Sequence, residues 1–566
     1  MARKRSAVRS RLAPPQNKEI FYRHIFSLYT EDMRRRLKTF LILAALSANL
    51  TAVELPPLNP FLADSTYPIG HGDSAQQDAV LTPGPLNPGA VIPSELIEYA
   101  PSGPAQFGAY TSGSYPDGRR VFWANGLDRI VKIDFDTFEI LTTYWFDGVK
   151  RWSTKDADSA IQYFNKSNHG IRATWRAVNE AKKLKDLAGV YTVLDEDNTY
   201  FIADKNGTIT AYGDKDSADP NSEIIAKRSF SLPPEVTGYT VGMNMTYDGW
   251  LIVPTEHGYL VAISRDFKNY HVVKLPKSEN AESKATKPKG FGWVRNSIAI
   301  DDDGGIYIAS QNHMHKIIWT GAGFSKDINA GAWTAPYSNS WGHGTGATPS
   351  LMGFGDEDQF VVITDGEHLM NVVLFWRNEI PNDWAGLPDF PRRLAGLQPA
   401  NMGNLKLRNI QSEQSVVVAG YGALVVNNEP RNIPWWLPSQ AKTLLISYLG
   451  SSSQHQPYGV QKFIWDPQSR LFVQAWVNPL VSSPSCVPIV SHKSDQVFLI
   501  GARNNEWTLE ALEWQSGDSA YHSIIGDERY NPFFSGTLLD ETGRIHYGSP
   551  WGRIRLNLPT EIVKEE

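Results

Sequence analysis

The stretch VGMNMTYDGWLIVPTEHGYLVAIS, residues 241–264, decides the fold. An apolar run meets the tight turn Asp248-Gly249. A second run, Trp250–Val253, meets His257-Gly258, and a third follows at Tyr259–Ser264. Short apolar runs bounded by Asp-Gly and His-Gly read as strands joined by hairpins. The same unit recurs at Asp117-Gly118/Asn125-Gly126, Asp195–Asp197/Asn206-Gly207, Asp301–Gly305/Asn312-His313, Asp356–Asp358/Glu367-His368, Asp495/Asn504-Asn505 and Asp540–Gly543/Trp551-Gly552. A degenerate copy, Gly420–Gly422/Asn427-Asn428, fills the long gap between the fifth and sixth units. A strand-built repeat at intervals of roughly 45–80 residues implies a radial arrangement rather than a string of unrelated domains. The chain is therefore expected to be all-β, a single β-propeller of eight blades. Seven is the alternative, because the blade starting at Ser412 is irregular.

Working outward, each blade is expected to carry an inner strand A, then B, C and an outer strand D. Blade eight has A, B and C but no D before the chain ends at Glu566. An N-terminal strand near Glu95–Tyr99 is expected to supply it and close the ring. The propeller is placed at 101–558, with 559–566 as a tail. Ala173–Leu187, rich in Ala, Glu and Lys, predicts a helix inserted between blades one and two. Long insertions at 376–409 and 430–458 read as walls or lids over a site. The segment 53–100 is dense in proline, which excludes a helix or central strand. It reads as an extended arm that wraps the outside, ending in the closing strand. Residues 1–52 read as leader and signal peptide. Arg34-Arg35-Arg36 and Lys38 precede the apolar run Phe40–Leu46, which is too short to span a bilayer, and Met33 is the expected true start. Export to the periplasm or medium follows, with no stable membrane span after cleavage.

Composition removes several function classes. The 54 basic and 60 acidic residues are balanced, so no nucleic-acid partner is indicated. Cys486 is the sole cysteine, which excludes an intrachain disulfide and any multi-cysteine metal centre. The 18 Trp, 23 Tyr and 24 Phe suit a cleft that holds a small apolar or ring-shaped molecule.

The repeat also sorts side chains by face. Turns between A and B emerge on one face. Turns between B and C, and the connections from D to the next A, emerge on the other. The acidic turns fall on the first face, where Asp favours tight hairpins. On the second face His257, His313 and His368 hold equivalent turns in blades three to five. His343, in Trp341-Gly342-His343-Gly344, sits in a connection on that face, as does His169. Neutral imidazoles from separate blades offer nitrogen ligands to a divalent metal, or a base near neutral pH. His257, His313, His343 and His368 are therefore the candidate catalytic and metal-binding residues, the metal being Zn, Fe, Mn or Ca. Asn fills the same turn in other blades, so turn geometry alone also accounts for His there. Arg295 and Arg408, which precede inner strands, and Trp341, Trp435 and Trp436 are the candidate substrate-binding residues. No P-loop, Gly-x-Ser-x-Gly elbow or HExxH motif is present.

Phrases such as Arg129-Ile130-Val131-Lys132-Ile133-Asp134 with Asp136-Thr137 and Glu139, and Tyr259-Leu260-Val261-Ala262-Ile263, carry a resemblance. The repeat resembles the secreted propellers of the quinoprotein-like group and, more loosely, the gluconolactonase/SMP-30-like group. The adjacent cysteine pair that quinone-dependent dehydrogenases of this shape use has no counterpart here, and no catalytic residue carries over. The expectation is an exported propeller enzyme acting on a small-molecule substrate by metal- or His-assisted hydrolysis or elimination. A four-histidine iron oxygenase of apolar substrates and a non-catalytic ligand- or partner-binding propeller are the alternatives.

Overall fold

The computed structural model describes residues 54–106, 108–166, 170–183, 191–283, 292–437 and 442–560. The expected leader and signal segment, His169 and most of the tail lie outside them. Within the described residues the strands form eight separate sheets, each one blade of a propeller ring. Blade three shows why the sequence folds this way. Its strand Trp250–Pro254 sends Leu251 and Val253 into a cluster with Phe201 and Ile209 of blade two. Ile252 points the other way, among Ile298, Ile306 and Ile308 of blade four. Period-two alternation thus buries both faces of the blade, each such side chain contributing about 1.5–3 kcal/mol. The turn before it closes because Gly249 takes a φ of 84° and donates its N–H to the Thr246 carbonyl at 3.0 Å.

Blade six, the irregular one, is a complete four-stranded sheet, and the count is eight. Its B and C strands, Gly422–Val426 and Val460–Asp466, flank a long insertion that holds a helix, Lys442–Leu449. The proline-rich connection after Trp376 contains blade five's outer strand, Leu394–Pro399. In blade eight the outermost strand is Ile97–Ala100, antiparallel to Arg553–Leu556 with Ile97 opposite Leu556. Two helices, α1 (Thr154–Lys166) and α2 (Ile171–Lys183), lie between blades one and two. They pack with the blade-six helix, α3 (Lys442–Leu449), around Phe164, Tyr448, Phe533 and Trp551. The result is a helical cap on the face of the B–C turns.

The arm differs from expectation. Only its later part runs outside, where Ile92 N–H bonds the Ile524 carbonyl of blade seven's outer strand. The earlier part threads the ring. Its carbonyls accept N–H bonds from inner strands in turn: Tyr67 from Thr111, Ser74 from Ile300, Ala75 from Leu351, Gln77 from Val418 and Asp78 from Val490. Inner strands around an axis present an unpaired edge, and a chain with free carbonyls satisfies it. Ala79–Val80 then joins blade seven in parallel with Ile489–Ser491. Before entering the ring the arm crosses the A–B face. Pro57 O accepts from Tyr247, Asp64 O from Arg120, and Thr66 N–H bonds Glu541. Among the described residues no helix is long and apolar enough to cross a membrane.

Candidate functional site

The expected rim histidines have separate surroundings. His257 Nδ1 lies 3.0 Å from Thr237 Oγ1, and its Nε2 lies 3.7 Å from Glu256. His313 begins a strand of blade four, its ring 6.0 Å from that of His315. Burial, with Lys277, lowers its pKa. His315 itself is buried between Ser310 and Thr334, and burial pulls it down to about 3. His343 is buried with its ring 3.7 Å from that of Trp341. His368 is exposed, and its backbone carbonyl accepts from Ile410. Among the described residues no three histidines, cysteines or carboxylates are grouped to hold a metal ion. Among the described residues the four histidines are therefore not gathered around one metal ion: His343 is packed behind an indole, His368 is in solvent, His257 meets Thr237 and His313 lies beside His315.

The other predicted residues divide similarly. Arg295 bonds the His343 carbonyl and the Glu413 carboxylate, both at 3.1 Å, and Glu413 lines the central cavity. Arg408 is exposed and caps carbonyls of its own loop, Leu405 and Leu407. Trp341 is half-buried over His343. Trp435 is 94% exposed, while Trp436 stacks on Trp175 of α2 at 4.7 Å and 7°. Cys486 is buried with its sulfur 3.1 Å from Thr537 Oγ1, and burial pushes its thiol up to about 12. It is an inert core thiol.

The strongest chemistry lies where the arm meets the axis. A cavity of about 660 Å³, counting its open mouth, is walled by residues that lead into the inner strands of blades one, two, six, seven and eight. Its floor is Tyr67, Gly70 and His71 of the arm. His71 Nδ1 is 2.7 Å from Asp78 Oδ2, and its Nε2 is 3.4 Å from Ser415 Oγ. Asp78 is fully buried, whereas the His71 side chain keeps 11% exposure toward the cavity it lines. Ser415 Oγ also accepts the Thr348 N–H at 3.1 Å. Tyr191, another lining residue, bonds Thr348 Oγ1 at 3.3 Å. Beside Ser415, the Gln414 amide is buried with neither oxygen nor nitrogen hydrogen-bonded.

The backbone is bent to make this possible. His71, Gln76 and Asp78 all take positive φ, at 65°, 62° and 55°. Each costs on the order of 1 kcal/mol, so the turn persists because the bonds around it over-determine it. The loop is pinned by Asp78 N–H to the His71 carbonyl and by His71 N–H to the Tyr67 hydroxyl, both at 3.0 Å. Burial opposes charge on His71, but the Asp78 carboxylate and then Asp73 outweigh it and raise the imidazole pKa. Burial also raises Asp78 more than His71 lowers it, so the pair holds its proton to higher pH. Asp73 is pushed up to about 7 by the same burial.

Sequence reasoning passed over this group because the arm precedes the repeat and has no register within it. One signal was present: His71, Asp73 and Asp78 are three titratable residues within eight positions, in a stretch free of proline inside the proline-rich segment.

Comparison with known proteins adds the following. No protein-family model matches the chain. Among solved structures it is similar to a quinohemoprotein alcohol dehydrogenase from Pseudomonas putida HK5, at 11% identity and a TM-score of 0.44, covering 90% of this chain and 82% of that one. It is similar to a streptogramin B lyase at 8% identity and a TM-score of 0.35, covering 82% and 97%. Likeness at that level carries no argument about activity. In sequence it is 33% identical over 516 residues to an uncharacterized protein of Archaeoglobus fulgidus, across 88% of this chain and 89% of that protein. The chain belongs to one family with this Archaeoglobus fulgidus protein.

Proposed function

We propose that the protein is an exported hydrolase that cleaves an ester or lactone of a small organic molecule at the floor of the central channel. One observation carries this reading: the hydrogen-bonded chain Asp78–His71–Ser415 facing an open cavity. A serine hydroxyl is a weak nucleophile until a base removes its proton, and a base holds its tautomer when its other nitrogen meets a carboxylate. Ser415 Oγ attacks the carbonyl carbon as its proton passes to His71 Nε2. Asp78 offsets the imidazolium charge. The acyl C–O bond breaks, and the leaving oxygen takes the proton back from His71. Water, deprotonated by His71 in turn, cleaves the acyl-serine and restores the hydroxyl. The Tyr191 hydroxyl and the Gln414 amide belong to residues lining the same cavity and are the donors proposed for the carbonyl oxygen as it gains charge. The 3.4 Å Ser415–His71 separation suits a ligand-free site that tightens when substrate binds.

The test is covalent. A fluorophosphonate probe is expected to modify Ser415, identified by mass spectrometry of the labelled peptide, and Ser415→Ala is expected to abolish that labelling. Labelling elsewhere, with ester hydrolysis unchanged in Ser415→Ala, would sink the reading. Export rests on the charged and apolar run Arg34–Leu46. It predicts that the mature protein begins after that run when its N-terminus is sequenced.

A further inference from the structure

The helical cap carries an apolar patch that its own core does not use. α2 buries Ala173, Ala177, Val178 and Ala181 against α1 and α3. Its opposite side presents Ile171, 69% exposed, and Trp175, 51% exposed, one turn apart. The blade-six insertion meets this side through Trp436, stacked on Trp175, and places Trp435 beside it at 94% exposure. A soluble surface rarely leaves adjacent tryptophans and an isoleucine in water without a partner. Burying them would return about 25 cal/mol for each Å² removed from water.

The exposed charges of α2 beside the patch have one sign among the described residues. Among the described side chains of α2, those exposed besides Ile171 and Trp175 are Arg172, Asn179 and Lys182. Arg176 is half-exposed beside them, paired with Glu180, which is itself buried. Among the described residues, the outward side of α2 therefore bears cations and no exposed carboxylate. Indole and aliphatic side chains ringed by Arg and Lys match the boundary between headgroups and acyl chains of an anionic bilayer. Trp settles at that depth, and the cations meet lipid phosphates. A second copy of this chain would set the same cation-bearing patch against itself across a two-fold axis, like charge facing like.

We propose that the cap, through Trp435, Trp175 and Ile171 with Arg172 and Lys182, docks the protein on an anionic lipid surface as a peripheral, non-spanning contact. This is independent of the reaction at the channel floor. The experiment is co-sedimentation of the full chain with vesicles of phosphatidylcholine alone or with added phosphatidylglycerol. Binding is expected only to the anionic vesicles and is expected to weaken as salt rises. Arg172→Glu and Lys182→Glu are each expected to weaken it at least about fivefold. Trp435→Ala with Trp175→Ala is expected to abolish it while leaving circular dichroism unchanged. Quenching of the wild-type tryptophans by brominated lipid tests the contact without any variant. Equal sedimentation with both vesicle types, no quenching, or a change in oligomeric state with Trp435→Ala would each overturn the proposal. The last outcome would identify a protein interface.

Discussion

His71–Asp78 and His546–Asp540 are joined at the same 2.7 Å, and both carboxylates are buried, yet their surroundings drive them apart. His546 lies between blades eight and one, its ring 4.6 Å from Phe122. Burial first, then Arg555 and Arg544, press its pKa down to about 4 against the pull of Asp540. Burial would raise Asp540, but bonds and charge from His546 and Arg544 hold it below the usual carboxylate range. That pair is a neutral ring and a fixed anion inside a cation-rich wall. His71 instead has a second carboxylate nearby, a hydroxyl on its free nitrogen and a cavity in front of it. The bond length of a His–Asp pair therefore says nothing of its role; the third group and the access decide it.

The largest contrast is expected in reactivity. His71→Ala should slow fluorophosphonate labelling of Ser415 by about 10³-fold, within the range a positioned base supplies. His546→Ala should leave the labelling rate of the folded protein unchanged. Labelling kinetics on the two purified variants check this, and equal losses would erase the distinction between the pairs.

The second expected effect is on stability. Asp540→Ala leaves Arg544 in a buried wall without its carboxylate, which costs about 3 kcal/mol. The urea midpoint measures it. Because the folded pKa of Asp540 is depressed, its contribution is complete above the unfolded carboxylate pKa of about 4 and is lost as pH falls below that. His546 adds a loss at higher pH. Its folded pKa of about 4 lies below the unfolded 6.5, so the unfolded chain binds the proton first and stability falls as pH drops from 6.5 toward 4. His546→Gln should flatten that part of the curve.

The third effect is a shift rather than a loss. His71 acts as base only when neutral, and its pKa is raised, so the labelling rate should climb through a limb above pH 6.5. Asp78→Asn removes the largest upward influence and leaves burial, which lowers the imidazole. The limb should move to lower pH while the maximal rate also falls. A limb that stays in place would show that Asp78 does not set the proton affinity of His71.

The two halves of this picture were unequally legible in the sequence. Asp248-Gly249 and its counterparts fix hairpins by local chemistry, so the repeat and its blades could be read from a single chain. Blade six could be read only in part, because Pro430–Tyr458 interrupts its pairing. The arm could not be placed. Proline density says that Pro56–Pro68 is extended, but where an extended chain lies depends on which sheet edges need a partner, and those edges exist only once eight inner strands surround an axis. The channel site inherits that problem, since His71 comes from the arm, Ser415 from the entry to blade six and Tyr191 from the entry to blade two. The rim histidines were legible by register, but register gives a face and not convergence. His343, in the connection into blade five, is buried behind Trp341, while His368, at its B–C turn, faces solvent.

The smallest expected effect tests that last point. His368 is exposed, and the bond by which it holds the chain is its backbone carbonyl to Ile410 N–H at 2.9 Å, which any residue can make. His368→Ala should therefore change the urea midpoint by no more than an exposed substitution does, within about 0.5 kcal/mol. It should also leave Ser415 labelling at the wild-type rate, because no step at the channel floor reaches the rim. The comparison is one-sided in a useful way. A null result in His368→Ala beside a large one in His71→Ala separates the channel from the rim. A labelling loss in His368→Ala that approached the His71→Ala loss would mean the B–C face closes over the cavity during reaction, and the rim histidines would belong to the site after all.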